Sequence, residues 1–144
     1  VRKKMSKQEV VLKQGDSPDV SDILVDGQQI QQVFLNLLLN AIDATPPGGV
    51  ISIAYENVSA GEVAISRAAA KNHSYVRIEI SDTGNGIPAD KQEKIFDPFF
   101  TTKATGLGLG LSIVYRIVQE HQGEIRVASK ENEGTTFTIY LPTE

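Results

Sequence analysis

Asn36, Asn40 and Asp43 stand at spacings of four and three in a segment without proline or glycine. On a helix, at about 100° per residue, those spacings gather the three side chains into an arc of roughly 60°. Two amide carbonyls and a carboxylate on one helix side are hard oxygen donors. Mg²⁺ accepts one or two such protein ligands and fills its octahedral shell from water and phosphate oxygens. A single asparagine on a helix is ordinarily just a solvent-facing polar residue. Two of them in mid-helix at a spacing of four are harder to dismiss, because asparagine competes with the backbone for hydrogen bonds and costs helix stability.

Two glycine-rich segments offer different chemistry. Ser-Asp-Thr-Gly-Asn-Gly-Ile-Pro at 81–88 puts glycine at alternate positions after Asp82. Alternate glycines permit positive φ and close backbone approach to a ligand, and a carboxylate at a strand end can accept a hydrogen bond from an exocyclic amine such as that of adenine. A tight turn capped by aspartate is the competing reading and is about equally good for this segment alone. Gly-Leu-Gly-Leu-Gly at 106–110 runs into an apolar-periodic stretch. Bare backbone amides at a helix start bind phosphate, and a flexible hinge is the alternative. The segment lacks the Gly-Lys-Ser/Thr ending of a P-loop. It also lacks the dinucleotide-binding spacing, because Leu111 and Ile113 occupy the positions where a third glycine is needed.

The elements that must position these residues are legible in the apolar spacing. Ile30, Val33, Phe34, Leu37, Leu38, Ala41 and Ile42 recur at helical intervals over 28–44, with Ile30, Phe34, Leu37 and Ala41 about opposite the polar arc, until Pro46, Pro47, Gly48 and Gly49 end the pattern. Alternation predicts strands at 50–55, 75–81, 124–129 and 135–141, the last two around a turn at 132–134. Short apolar runs at 9–12 and 23–25 read as lead-in strands, and 57–74 as a long connection with some strand at its ends. A short helix opening on Pro88 is expected over 88–95, a loop over 97–110 and a helix over 111–121. These elements sum to an α+β fold, a mixed sheet with helices on one face.

Composition narrows the function classes. The 144 residues suit one domain, with Lys and Arg numbering 14 against 18 Asp and Glu and a formal charge of -4. That balance gives no electrostatic basis for nucleic-acid binding. The absence of cysteine removes disulfides, thiolate metal sites and cysteine nucleophiles. No apolar run is long enough to cross a bilayer, so the expected location is cytoplasmic, with any membrane anchor belonging to another part of a longer protein.

Taken together, Asn-Leu-Leu-Leu-Asn-Ala-Ile-Asp-Ala (36–44), Asp-Thr-Gly-Asn-Gly-Ile-Pro (82–88), Ile-Phe-Asp-Pro-Phe-Phe-Thr-Thr-Lys (95–103) and Gly-Leu-Gly-Leu-Gly-Leu-Ser-Ile-Val (106–114) closely resemble the N, G1, F and G2 boxes of bacterial sensor histidine kinases. The likeness runs on through His121-Gln122-Gly123 and Gly134-Thr135-Thr136-Phe137 to Leu141-Pro142. One box alone is weak, whereas four in order are specific.

The resemblance implies a Bergerat-type ATP-binding sandwich, two-layered, with about five strands and about three helices on one face. By the same resemblance Asn40 coordinates Mg²⁺ and Asn36 lies near the phosphates and metal. Asp82 reads the adenine amine, Gly84 and Gly86 shape the pocket, and Thr135 supports the adenine end through water. Residues 97–105 form the ATP lid, with Lys103 on the terminal phosphate, and Gly106, Gly108 and Gly110 bound the phosphates. Asp43, Ile87, Thr102, Leu107 and Leu109 complete the expected nucleotide-binding set, and Asn36, Asn40 and Lys103 the catalytic one.

The chain carries no H box, and its two histidines are His73, in a polar connection, and His121, at a helix end where a capping or surface role is expected. The implied partners are therefore a phosphoacceptor and dimerisation domain of the same kinase and a response regulator downstream, with this chain monomeric and the longer protein homodimeric. Related ATPases place a water-activating glutamate where this chain has Asn36. An amide cannot take that proton, so slow hydrolysis and a kinase role are expected, with a related serine kinase or an ATPase module as the alternative reading.

Overall fold

The computed structural model describes residues 26–59, 74–97 and 110–142, together with the backbone of 11–14. The elements in chain order are β1 (Val11–Gln14), α1 (Gly27–Ala44), β2 (Val50–Ser59), β3 (Ser74–Asp82), α2 (Ala89–Gln92), α3 (Gly110–Glu120), β4 (Glu124–Lys130) and β5 (Gly134–Pro142).

The five strands form one sheet in the order β1-β2-β3-β5-β4, with β1 parallel to β2 and the remaining pairs antiparallel. The sheet is thus mixed, as its sequence pattern predicts. Alternation along the strands sends Ile53, Val76, Ile78, Ile80, Ile125, Phe137, Ile139 and Leu141 to one face. There they pack with Val33 and Leu37 of α1 and Val114, Ile117 and Val118 of α3. Each buried branched side chain of this kind contributes about 1.5–3 kcal/mol, so the shared layer under α1 and α3 is the principal stabilising feature of the described fold. Ala41, Ile42 and Ile51 form a smaller cluster at the far end of α1.

The opposite face carries charged pairs beside the buried Val58, Tyr75 and Tyr140. Arg77 of β3 pairs with Glu56 across the strand pair and with Glu79 at 3.2 Å, and Arg126 lies 4.9 Å from the ring centre of Tyr140. Part-exposed pairs of this sort contribute little stability.

α1 begins one residue before its expected start. Asp26 caps it, its side chain accepting from the Gln29 amide at 3.1 Å. At its end the Thr45 hydroxyl donates to the Ala41 carbonyl at 2.6 Å, which turns the chain out before the prolines. The second predicted helix is shorter than its sequence pattern suggests. α2 covers only Ala89–Gln92, and the chain continues to Asp97 through backbone bonds spaced by three residues, Lys94 to Lys91 and Asp97 to Lys94. Three-residue spacing tightens the turn and lets Ile95 reach the core without a full helix.

The lead-in strand predicted at 9–12 corresponds to β1 at Val11–Gln14, shifted because a parallel edge strand takes its register from its partner, here Val11 opposite Val50. The run at 23–25 lies outside the described residues. No described helix is long and apolar enough to cross a membrane.

Candidate functional site

The ends of α1, β3 and the β4–β5 hairpin meet at Asp82. Strand β3 delivers this carboxylate on the helix-covered face, 8 % exposed, directly opposite Thr135 in the β3–β5 register. Asp82 Oδ1 accepts from the Gly84 amide at 2.8 Å. Burial raises the Asp82 carboxyl above its ordinary value of 3.8, and hydrogen bonds from the Gly84 and Thr135 amides oppose that rise without cancelling it. A buried carboxylate that the fold holds at a cost, with two backbone donors fixing its plane, is a preorganised acceptor.

The first glycine loop turns directly beneath α1. The Asn85 amide donates to the Ala44 carbonyl at 3.0 Å, and Asn85 in turn accepts from the Asn132 amide at 2.6 Å. Gly84 leaves so little room that a Cβ would stand 2.3 Å from the Ala44 carbonyl oxygen, and at Gly86, with φ +71°, it would stand 2.1 Å from that of Lys130. The sequence reading expects these glycines to admit a ligand. In the structure their close neighbours are mostly backbone, so they let the loop wedge between α1 and the β4–β5 turn.

Asn36 lies across a second junction. Its Nδ2 donates to the Gly110 carbonyl at 3.1 Å, and its Oδ1 accepts from Gln32 Nε2 at 2.6 Å. The polar arc of α1 is therefore tied to the residue that closes the second glycine segment and opens α3. Asn40 is half-buried one turn along, and Asp43 is exposed on the last turn. Among the described residues no group of three or more His, Cys, Asp or Glu side chains could hold a metal ion. Thr102, Lys103, Gly106, Leu107, Gly108 and Leu109 lie outside the described residues.

An open groove of about 370 Å³ is lined by Asp82, Ser129, Thr135 and Thr136, with Lys130 and Glu133 among its other lining residues. Ser129 is a feature that the sequence reading misses. Its Oγ accepts from the Ile87 amide at 2.7 Å and stands 2.8 Å from Thr135 Oγ1, while Gln92 Nε2 donates to the carbonyls of Ile87 and Ser129 at 2.9 and 3.0 Å. Hairpin pairing supplies the signal that could have found it, because β4 and β5 set Ser129 opposite Thr135.

His121 fills the expected capping role and one more. Its Nδ1 bonds the Ile117 carbonyl at 2.8 Å, and its Nε2 accepts from the Asp26 amide at 3.0 Å, which joins the end of α3 to the start of α1. Nδ1 is therefore the protonated nitrogen of a neutral ring, since each nitrogen faces the opposite partner type.

Residues 25–144 match the family described as histidine kinase-, DNA gyrase B-, and HSP90-like ATPases. The chain is 42% identical over 134 residues to the sensor histidine kinase ZraS of Escherichia coli strain K12, covering 93% of this chain and 26% of that protein. It is 44% identical over 143 residues to the sensor kinase CckA of Brucella abortus strain 2308, covering 93% of this chain and 14% of that one. The chain thus spans about a quarter or less of these relatives' length. Among solved structures, the nucleotide-free catalytic domain of histidine kinase ThkA superposes with a TM-score of 0.78 at 35% identity, over 99% of this chain and 84% of that one. With α1 and α3 on one face of a mixed sheet, Asp82 at the end of its central strand and Asn36 at the glycine junction, the chain belongs to the histidine kinase-like ATPase family, as a catalytic ATP-binding domain of the sensor histidine kinase type.

Proposed function

We propose that this domain binds ATP with Mg²⁺ and donates the γ-phosphoryl group to a histidine on a separate phosphoacceptor and dimerisation domain, from which a response regulator is then charged. The observation that carries the reading is the bond from Asn36 to the Gly110 carbonyl. It holds Asn36 beside Gly110, which supports a polyphosphate site facing Asn36 and Asn40. Asp82, 8 % exposed at the other end of the site, suits the exocyclic amine of the base.

The donor set fits a magnesium nucleotide. The α1 face offers neutral amide oxygens, and with no acidic cluster among the described residues the ion would draw most of its shell from phosphate and water. Asn40 holds the ion, which when bound neutralises charge on the transferring phosphoryl group. Asn36, as an amide, orients but does not deprotonate water, which favours transfer to an imidazole over hydrolysis. The chain's own contribution is alignment of donor and acceptor and exclusion of competing water. A full-length histidine kinase, ShkA, has been solved in complex with AMPPNP and superposes at a TM-score of 0.78 and 25% identity, which supports a nucleotide ligand here.

Calorimetric titration tests the metal assignment. ATP is expected to bind with Mg²⁺, and Asn40→Ala is expected to weaken that binding about tenfold or more, with a smaller loss when Mg²⁺ is withheld. Equal affinity for the two proteins in Mg²⁺ would sink the role given to Asn40.

A further inference from the structure

Ser129 Oγ has three polar neighbours within hydrogen-bonding distance. The Ile87 amide at 2.7 Å can only donate, the Gly134 carbonyl at 2.9 Å can only accept, and Thr135 Oγ1 at 2.8 Å can do either. A hydroxyl has one proton and two lone pairs. If Ser129 gave its proton to Thr135, its oxygen would face the Gly134 carbonyl lone pair to lone pair at 2.9 Å. Only one arrangement turns all three contacts into bonds: Ser129 donates to Gly134 and accepts from both Ile87 and Thr135.

The proton of Thr135 is then spent on Ser129. Thr135 is 6 % exposed and lines the same groove as Asp82, its partner in the strand register. We infer that Ser129 is a positioning residue for base recognition, which fixes the Thr135 hydroxyl so that Thr135 and Asp82 present acceptors alone to position 6 of the nucleotide base. Set about position 6, two acceptors take the two protons of a 6-amino group, whereas a 6-oxo group meets them lone pair to lone pair.

This inference rests on the ATP-binding reading above and adds the residue that sets its base preference. Ser129→Ala frees the Thr135 hydroxyl to rotate and donate toward the groove. The test measures affinities for ATP and ITP, which differ in amino against oxo at position 6 and in the proton the oxo base carries on N1, by equilibrium titration of five proteins. In Ser129→Ala the ATP-over-ITP ratio is expected to fall about tenfold, the scale of one misdirected hydrogen bond. Ser129→Thr, which keeps a hydroxyl, is expected to restore the ratio. In the Thr135→Val background the further change Ser129→Ala is expected to leave the ratio where Thr135→Val put it, since Ser129 acts through that hydroxyl.

A purely structural role would weaken ATP and ITP alike, so an unchanged ratio in Ser129→Ala with ATP still bound overturns the inference alone. A ratio shift of equal size in the Thr135→Val background overturns it as well. Wild-type protein that binds neither nucleotide overturns the ATP-binding reading, and this inference with it.

Discussion

Asp82→Asn is expected to lower ATP affinity about a hundredfold, ~2.7 kcal/mol, because it removes a charged acceptor and can turn an amide donor toward the base amine. The same substitution is expected to leave thermal stability nearly unchanged, since an amide oxygen still accepts from Gly84 and the cost of burying charge disappears. The physical basis is the raised Asp82 carboxyl, driven up by burial against the opposing amides of Gly84 and Thr135. A carboxyl raised in the folded state binds its proton more tightly there than in the unfolded chain. Its contribution to stability is therefore greatest below the ordinary value of 3.8 and declines as pH rises through the raised folded value.

Nucleotide affinity runs the other way, because only the ionised form is a full acceptor. On lowering the pH through the raised range, ATP binding is expected to weaken in the wild type, and Asp82→Asn is expected to flatten that dependence. Fluorescence titration against pH, with calorimetric melting of both proteins, reads out the two halves. An Asp82→Asn protein that binds ATP as tightly as wild type would remove Asp82 from base recognition.

Gly86→Ala carries the other large effect. Gly86 combines φ +71° with a Cβ position 2.1 Å from the Lys130 carbonyl oxygen, which is backbone and cannot swing aside. The left-handed conformation alone costs alanine about 1–2 kcal/mol, and displacing packed backbone adds about 1–3 kcal/mol. Gly48→Ala supplies the control, because Gly48 has φ +88° with nothing within 4 Å. Urea denaturation is expected to show Gly86→Ala several kcal/mol less stable than wild type and Gly48→Ala lower by only the conformational part. ATP binding is expected to fall with Gly86→Ala at temperatures where the protein remains folded, since the displaced loop joins Asp82 to Ile87. Equal destabilisation at both glycines would mean that the wedge between α1 and the β4–β5 turn does not constrain the site.

Much of this was legible in the residues. The amphipathic pattern of α1, with Val33, Leu37, Ala41 and Ile42 buried and Asn36 and Asn40 half-exposed, is a local property that tertiary contacts reinforce. The same holds for the alternating strands β3 and β5, whose inner residues are apolar at every second position. What escaped depended on contacts far apart in sequence. β1 takes its register from β2, and α2 stops early because the chain must bring Ile95 into the core. His121 announces a helix cap, but its second bond goes to the Asp26 amide 95 residues away.

Ser129 is the sharper case. A serine in a strand carries no sign of function until the hairpin sets it opposite Thr135 and the first glycine loop brings the Ile87 amide to the same oxygen. The glycine loop lies where its sequence predicts, between β3 and α2. Its glycines were expected to admit a ligand, and the structure uses Gly84 and Gly86 to admit backbone.

The central claim is phosphoryl donation to a histidine on another domain. Incubating this domain with γ-labelled ATP, Mg²⁺ and a separately produced phosphoacceptor helical domain from the same protein tests it most directly. The account predicts label on the phosphoacceptor domain that is lost in acid and stable in base, as for a phosphoimidazole, with little free phosphate released by this domain alone. Rapid release of phosphate without any transfer of label would contradict it, and would point instead to an ATPase.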